Sequence, residues 1–305
     1  MNLRNASTLV LASVSVVAFA LMLTPSQVAA KDMSPSELVQ VGKAYASKGQ
    51  DAKAVPVLEQ ALQGDPKNAE AHYQLGICYS RLEKPDQAGQ HLKQAIALEP
   101  KRYEAYLLLG MLLDQQNDPA GALGVYQQAM AADPKRMDAF REAGTSELLL
   151  GKTADAAKHL GQAYELSAHD ADVAADYGYA LVRAKQCPMA EKVLGPAVDN
   201  DPRNADLQST LGDALACQEK TEPAITAYET ATRLDAKNAP SWFHLGLLKA
   251  KKGDQAGARD ALAHAAALRP QDQEIAGALK KLGGAPLPAT TEDSTGRSGP
   301  VVPHK

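Results

Sequence analysis

"DPKNAEAHYQLGICY", residues 65–79, is followed thirty-four residues later by "EPKRYEAYLLLGMLL" (99–113) and, after the same interval, by "DPKRMDAFREAGTSE" (133–147). A fixed period in this range decides an architecture before any single element is read, because each copy is one supersecondary unit that buries its apolar face only against a neighbour. A 34-residue frame beginning at Pro35 runs through seven units to Asp272 without an insertion. Its eighth position is Gly42, Gly76, Gly110, Gly144, Gly178, Gly212 and Gly246. Its twentieth runs from Ala54 to Ala258 and its twenty-seventh from Ala61 to Ala265, alanine in all seven units. With glycine at ~7% of average usage, seven in register is a coincidence on the order of 10⁻⁸.

Inside each unit the signals are helical. Between Ala69 and Arg81 the pairs Tyr73/Ile77 and Leu75/Tyr79 recur at i, i+4, and between Asp86 and Leu98 the set Ala88, Leu92, Ala95 and Ile96 does the same. Ser34-Pro35-Ser36-Glu37 is a capping box with proline at the first helical position, and Asn68, Asp170, Asn204, Asn238 and Asp272 stand at the equivalent place later. Second helices are expected to open at Asp51, Asp118-Pro119, Thr153, Cys187-Pro188 and Thr221. Pro66, Pro100, Pro134, Pro202 and Pro270 close them, because proline cannot continue a helix. Ala168 and Ala236 replace that proline in units four and six, so those ends are expected to be less sharp. Glycine inside a helix costs roughly 1 kcal/mol against alanine. Seven of them are therefore expected to permit a close approach of two antiparallel helices, with the alanine at position twenty facing the glycine.

A large residue at position four, Leu at seven, Gly at eight, Tyr at eleven, Ala at twenty, an aromatic or Leu at twenty-four, Ala at twenty-seven and Pro at thirty-two resemble the tetratricopeptide repeat. Unit seven carries it as Trp242, Leu245, Gly246, Ala258, Leu262, Ala265 and Pro270, with Lys249 departing at eleven; Val41 and Glu147 are departures in units one and four. The resemblance covers Pro35 to Asp272. It implies an all-α fold, a right-handed α-solenoid of seven helix-turn-helix units at 35–272, closed by a capping helix at 273–284. In that helix Ile275, Leu279 and Leu282 are expected to seal the last unit, with Lys280 and Lys281 facing water.

Outside the repeats, Arg4 and the apolar run Leu9 to Leu23, followed by Val28-Ala29-Ala30, read as a signal peptide cleaved after residue 30, with an uncleaved N-terminal anchor as the competing reading. Residues 31–34 are a linker. Ala285 to Lys305, rich in Pro, Thr, Ser and Gly, reads as a disordered tail. Without Arg4 the acidic residues exceed the basic ones by about five, which argues against a nucleic-acid partner. The chain is expected in the periplasm or secreted, with no membrane insertion after cleavage. Three cysteines permit one bridge there. Cys187 opens the second helix of unit five and Cys217 ends the first helix of unit six, neighbouring ends in an antiparallel stack. A Cys187–Cys217 disulfide and two buried free thiols are both open; Cys78, on a first helix, reads as core.

No catalytic constellation stands out. The seven histidines show no metal-ligand spacing to a Cys, an Asp or a second His, the glycines are spaced for packing rather than for phosphate, and the carboxylates sit dispersed at helix starts. No enzyme, cofactor or metal is expected. What the resemblance implies instead is a concave groove lined by first helices, at positions two, five, nine, twelve and thirteen. Carried onto this chain those positions give Tyr73, Ile77 and Arg81, then Leu107, Met111 and Gln115, then Arg141, Thr145 and Leu148, then Tyr179, Val182 and Arg183, and finally Ser209, Asp213, Phe243 and Leu247. Some of these, Leu148 and Leu247 in particular, could equally pack between neighbouring helices. The family's Lys/Asn clamp for a C-terminal carboxylate is matched only by Lys43. The expected function is an exported, non-enzymatic scaffold holding a protein or peptide partner in the groove, an adaptor in cell-envelope assembly. Its alternatives are a structural subunit of a pilus, secretion or polysaccharide-export complex docked by its convex face, and an anchored chaperone-like factor.

Overall fold

The computed structural model describes residues 33–283. The proposed signal segment and linker up to residue 32, the end of the capping segment at Gly284 and the tail at 285–305 lie outside them. Fifteen α-helices make up the described residues, and their starts keep strict time. First helices begin at Pro35, Ala69, Tyr103, Met137, Ala171, Ala205 and Ala239, second helices at Asp51, Pro85, Pro119, Thr153, Cys187, Thr221 and Gln255, each 34 residues after the last. In chain order they are α1 (Pro35–Ala46), α2 (Asp51–Gly64), α3 (Ala69–Arg81), α4 (Pro85–Leu98), α5 (Tyr103–Gln115), α6 (Pro119–Ala132), α7 (Met137–Leu149), α8 (Thr153–Leu166), α9 (Ala171–Arg183), α10 (Cys187–Asn200), α11 (Ala205–Cys217), α12 (Thr221–Leu234), α13 (Ala239–Lys252), α14 (Gln255–Leu268) and α15 (Gln273–Lys281). No described helix is long and apolar enough to cross a membrane.

The chain divides into two compact units, one ending at Ala168 and one beginning at His169. Within the first, α1 to α8 pack each on the next in four pairs, and first helices also touch first helices, α1 on α3, α3 on α5 and α5 on α7. Within the second, α9 to α14 form three pairs, α9 also packs on α11, and α15 covers α14. Together these are the consecutive helix pairs of a tetratricopeptide-like solenoid. Ile275 and Leu279 of α15 are buried while Lys280 and Lys281 are exposed, as expected of a cap.

Eight of the fifteen described helix starts are capped by side chains, and the other seven carry no side-chain cap. Ser34 and Glu37 form the reciprocal box, and the side chains of Asn68, Asp118, Asp170, Asn204, Asn238, Asp254 and Asp272 each accept a first-turn backbone N–H. The helix ends correct the expectation about proline. All seven second helices close identically, the carbonyl of Ala61, Ala95, Ala129, Ala163, Ala197, Ala231 or Ala265 accepting the N–H four residues on, at 2.8–3.0 Å. In unit six the Asp235 carboxylate takes the Lys237 N–H at 2.9 Å, which turns the chain without proline. In unit four Ser167 Oγ donates to Tyr164 O, and Ala168 and His169 both adopt left-handed backbone.

The invariant glycines have a nearer neighbour than the one expected. A Cβ added at position eight would first meet the side chain at position twenty-four: Leu58 for Gly42, Leu92 for Gly76, Leu160 for Gly144, Leu194 for Gly178, Tyr228 for Gly212 and Leu262 for Gly246, all at 2.5–2.7 Å, and the Tyr126 ring closer still for Gly110; the backbone carbonyl of the alanine at twenty comes next at Gly76 (Ala88, 3.6 Å) and Gly246 (Ala258, 3.2 Å). The alanines at twenty are fully buried for a separate reason, with their small volume setting how near the two helices lie.

A left-handed residue occupies each intra-pair turn, again at 34-residue intervals: Gly49, Glu83, Asn117, Gly151, Lys185, Glu219 and Gly253. Glu83, Lys185 and Glu219 adopt it at a cost that glycine avoids.

Candidate functional site

The residues carried onto the groove divide between the two units and differ in how they are held. In the first unit, Tyr73 and Ile77 on α3 and Leu107 on α5 are half-buried; Leu107 packs against the core around Tyr103, Tyr106 and Tyr126. The Arg102 guanidinium lies 4.9 Å from the centre of the Tyr73 ring and donates to Glu70 at 2.6 Å, and Lys43 reaches the same carboxylate at 3.1 Å. Arg136 repeats the device one unit later, pairing with Glu104 at 3.1 Å. Burial works to raise the Glu70 pKa, but hydrogen bonds from Arg102, Gln74 and Lys43 bring it below the ordinary carboxylate value. Arg81 is exposed, yet its Nη1 donates to Ala46 O at 2.9 Å and meets the buried Asp51 carboxylate at 3.4 Å, so it ties α3 to the preceding pair. Met111 is the exposed apolar side chain of this set, and Arg141 is half-buried.

The second unit gathers its share. Tyr179, Val182 and Arg183 on α9, Asp213 on α11 and Leu247 on α13 line one concavity of about 480 Å³, together with Ala216, Tyr228, His244 and Leu248. Tyr179 and Leu247 expose 38% and 41% of their surface, so Leu247 faces outward rather than packing between helices. Phe243 and Leu247 also border a second concavity of about 450 Å³ against α15.

Arg183 donates from Nη1 to Tyr179 Oη at 2.7 Å and lies 5.6 Å from that ring's centre. Behind it, Asp213 Oδ1 accepts from Tyr228 Oη at 2.5 Å and from His244 Nδ1 at 2.9 Å. Burial first, and then the Asp213 charge, push the Tyr228 phenol far above its usual pKa. The Tyr228 hydroxyl and the His244 ring therefore both donate to Asp213 and hold its carboxylate in place.

The sequence shows no metal-ligand spacing among the histidines, and the fold gives His72, His91, His159 and His244 side-chain partners from other helices. His72 and His91 meet Nδ1 to Nδ1 at 3.0 Å across α3 and α4, His159 meets the buried Glu147 at 2.8 Å, and His244 meets Asp213. These partners are 12 to 31 positions apart, a spacing set by the stack and invisible to a motif search. His72 Nε2 faces Pro66 O at 3.2 Å, so it donates there and its Nδ1 accepts from His91. Burial and the His72 ring lower the His91 pKa. Among the described residues no group of three or more His, Cys, Asp or Glu is arranged to hold a metal ion.

Cys187 and Cys217 are bonded, with Cα atoms 6.1 Å apart, joining the start of α10 to the end of α11 beside Ala216 of the concavity. Cys78 is free and buried, and burial with the Asp51 carboxylate pushes its thiol up to about 12, which makes it an inert core residue.

Comparison with known proteins agrees with this architecture. Profiles described as TPR repeat and tetratricopeptide repeat match residues 42–83 and 212–253, 79–137, and 239–272, which together span about half of the chain. No protein of curated function matches it. Among solved structures, the chain is similar to YrrB, described as a TPR protein with an unusual peptide-binding site (23% identity, 64% of this chain and 100% of that one, TM-score 0.51). It is similar also to the C-terminal part of a TPR repeat-containing protein from Cytophaga hutchinsonii (17% identity, 79% and 99%, TM-score 0.63) and to a tetratricopeptide repeat protein from Parabacteroides merdae (17% identity, 82% and 99%, TM-score 0.57). At such identities the likeness concerns the fold alone.

Proposed function

The chain belongs to the tetratricopeptide-repeat family, and from that premise we propose that it is a non-enzymatic interaction scaffold that holds a protein or peptide partner against the outward faces of its first helices. The observation that carries this reading is the concavity at Leu247, where large apolar side chains stand open to solvent beside a fixed carboxylate and a guanidinium. Apolar surface of this kind is worth about 25 cal/mol per Å² when a partner covers it, and aromatic and arginine anchors are the usual centres of such contacts. The signal-like N-terminal thirty residues and the disulfide favour an exported protein, periplasmic or secreted, in which the partner is a component of cell-envelope assembly.

The test is a cross-linking pulldown from envelope extract with wild type and with a Met111→Glu, Leu247→Glu variant of unchanged helical content. Loss of the captured partner is expected. A partner retained equally by both would remove the first-helix faces as the site and favour docking of a structural subunit by its second helices, where Leu166, Met189, Leu234 and Leu268 are exposed.

A further inference from the structure

We infer that the concavity of the second unit selects an extended peptide in which a large apolar residue lies within three positions of a single Asp or Glu, the carboxylate pairing with Arg183. The inference rests on the scaffold reading above and adds to it the chemistry of the ligand. Arg183 is exposed, and its guanidinium is engaged by the Tyr179 hydroxyl and ring; no carboxylate pairs with it among the described residues. Three lysines of the same unit are paired with carboxylates, Lys249 with Glu229 at 2.8 Å, Lys252 with Glu222 at 3.5 Å and Lys220 with Glu191 at 2.6 Å, whereas Arg183 stands at the concavity with its charge unpaired among the described residues. A guanidinium held in place by a hydroxyl and an aromatic face loses little freedom on meeting an anion, and its planar fork suits a carboxylate.

The rest of the wall fixes how the peptide lies. Val182, Leu247 and Leu248 supply the apolar floor for one large side chain. Both hydrogen bonds to Asp213 end on Oδ1, which leaves Oδ2 of a carboxylate about one-fifth exposed to accept a backbone N–H from the ligand. The same negative charge penalises a second acid near the floor, so the site discriminates by repulsion as well as by attraction. Successive residues of an extended peptide advance about 3.3 Å, and an arginine side chain spans a mismatch of two or three positions.

The experiment pans a displayed library of random ten-residue peptides against the full-length oxidised chain, followed by anisotropy with fluorescein-labelled synthetic copies of the enriched sequences. Enriched peptides are expected to carry the apolar residue with one acid within three positions. Their affinity is expected to fall at least tenfold with Arg183→Glu, and panning on that variant is expected to enrich Lys or Arg in place of the acid. Leu247→Glu should abolish binding by either. Circular dichroism confirms that the variants fold, which the exposure of Arg183 makes straightforward. Enrichment without an acidic preference, or acidic peptides indifferent to Arg183→Glu, would overturn this inference and leave the scaffold reading standing. No enrichment at all on the wild type would likewise overturn this inference, and the pulldown described above decides the scaffold reading.

Discussion

Arg81 and Arg183 hold the same position, the thirteenth, in the second and fifth repeats, and they do opposite work. Arg81 spends its charge inside the scaffold, on the carbonyl of Ala46 and the buried carboxylate of Asp51. Among the described residues, Arg183 bonds only the tyrosine one turn behind it on its own helix and leaves its charge on the surface. The repeat frame guarantees where a side chain emerges, and the neighbouring sequence decides whether it is already spoken for.

The comparison can be broken or sharpened by experiment. The largest effect is expected in the second unit, where the Cys187–Cys217 bridge closes a loop of 30 residues. Chain entropy puts its loss, by reduction or by Cys217→Ser, at about 3–4 kcal/mol. Urea unfolding of the oxidised and reduced protein measures it, and equal midpoints would show that the second unit does not depend on its staple. A Cβ at Gly110 would strike the Tyr126 ring, so Gly110→Ala in the first unit should cost about 2–3 kcal/mol in the same assay even though alanine is the better helix former. Next comes the pair itself. Arg81→Ala, which strands a buried Asp51, should cost about 1–2 kcal/mol, and Arg183→Ala less than about 0.5 kcal/mol. Equal costs would refute the division of labour.

Acid should weaken the first unit through its braces. The Glu70 pKa is depressed in the folded chain, so its stabilising contribution is fully present above the ordinary value of 4.5 and is lost as pH falls through the lower folded value. Unfolding free energies measured downward from pH 5 should therefore decline, and Arg102→Gln should flatten part of that decline. The smallest effect concerns the turns. Lys185 sits in left-handed backbone where Gly49, Gly151 and Gly253 sit in other repeats, and Lys185→Gly should raise stability by up to about 0.5 kcal/mol, the relief of strain being partly offset by a more flexible unfolded chain. A loss of stability in calorimetry would show that the lysine side chain contributes more than its backbone costs.

Much of this was legible in the residues. The period of 34 accounts for fourteen of the fifteen described helices, with starts at Asp51, Pro119, Thr153, Cys187 and Thr221 where they were expected, because caps such as Asn68 act locally, through the chain's own nearest backbone groups; the capping helix, expected to 284, ends at Lys281. Cys187 and Cys217 could be paired on paper because an antiparallel stack brings those two helix ends together. Tyr179, Arg183, Asp213 and Leu247 were named through the groove positions that the family resemblance implies, and they share one concavity. What escaped were the contacts whose partners the repeat frame does not specify. The glycine at position eight makes its nearest contact with Leu or Tyr at twenty-four, since a long side chain reaches over the glycine, and at Gly76 and Gly246 the Ala at twenty comes next through its backbone carbonyl. His244 and Tyr228 converge on Asp213 from two other helices, and no spacing rule would have joined them.

The sequence by itself determined the fold, since repetition at a helical period, with caps, turn residues and small residues in register, leaves one way to bury the apolar faces. Only the tertiary structure decided which exposed charges remain available to a partner. Availability depends on whether an opposite charge from another helix arrives within hydrogen-bonding distance, and that is a property of packing, which the order of residues does not state.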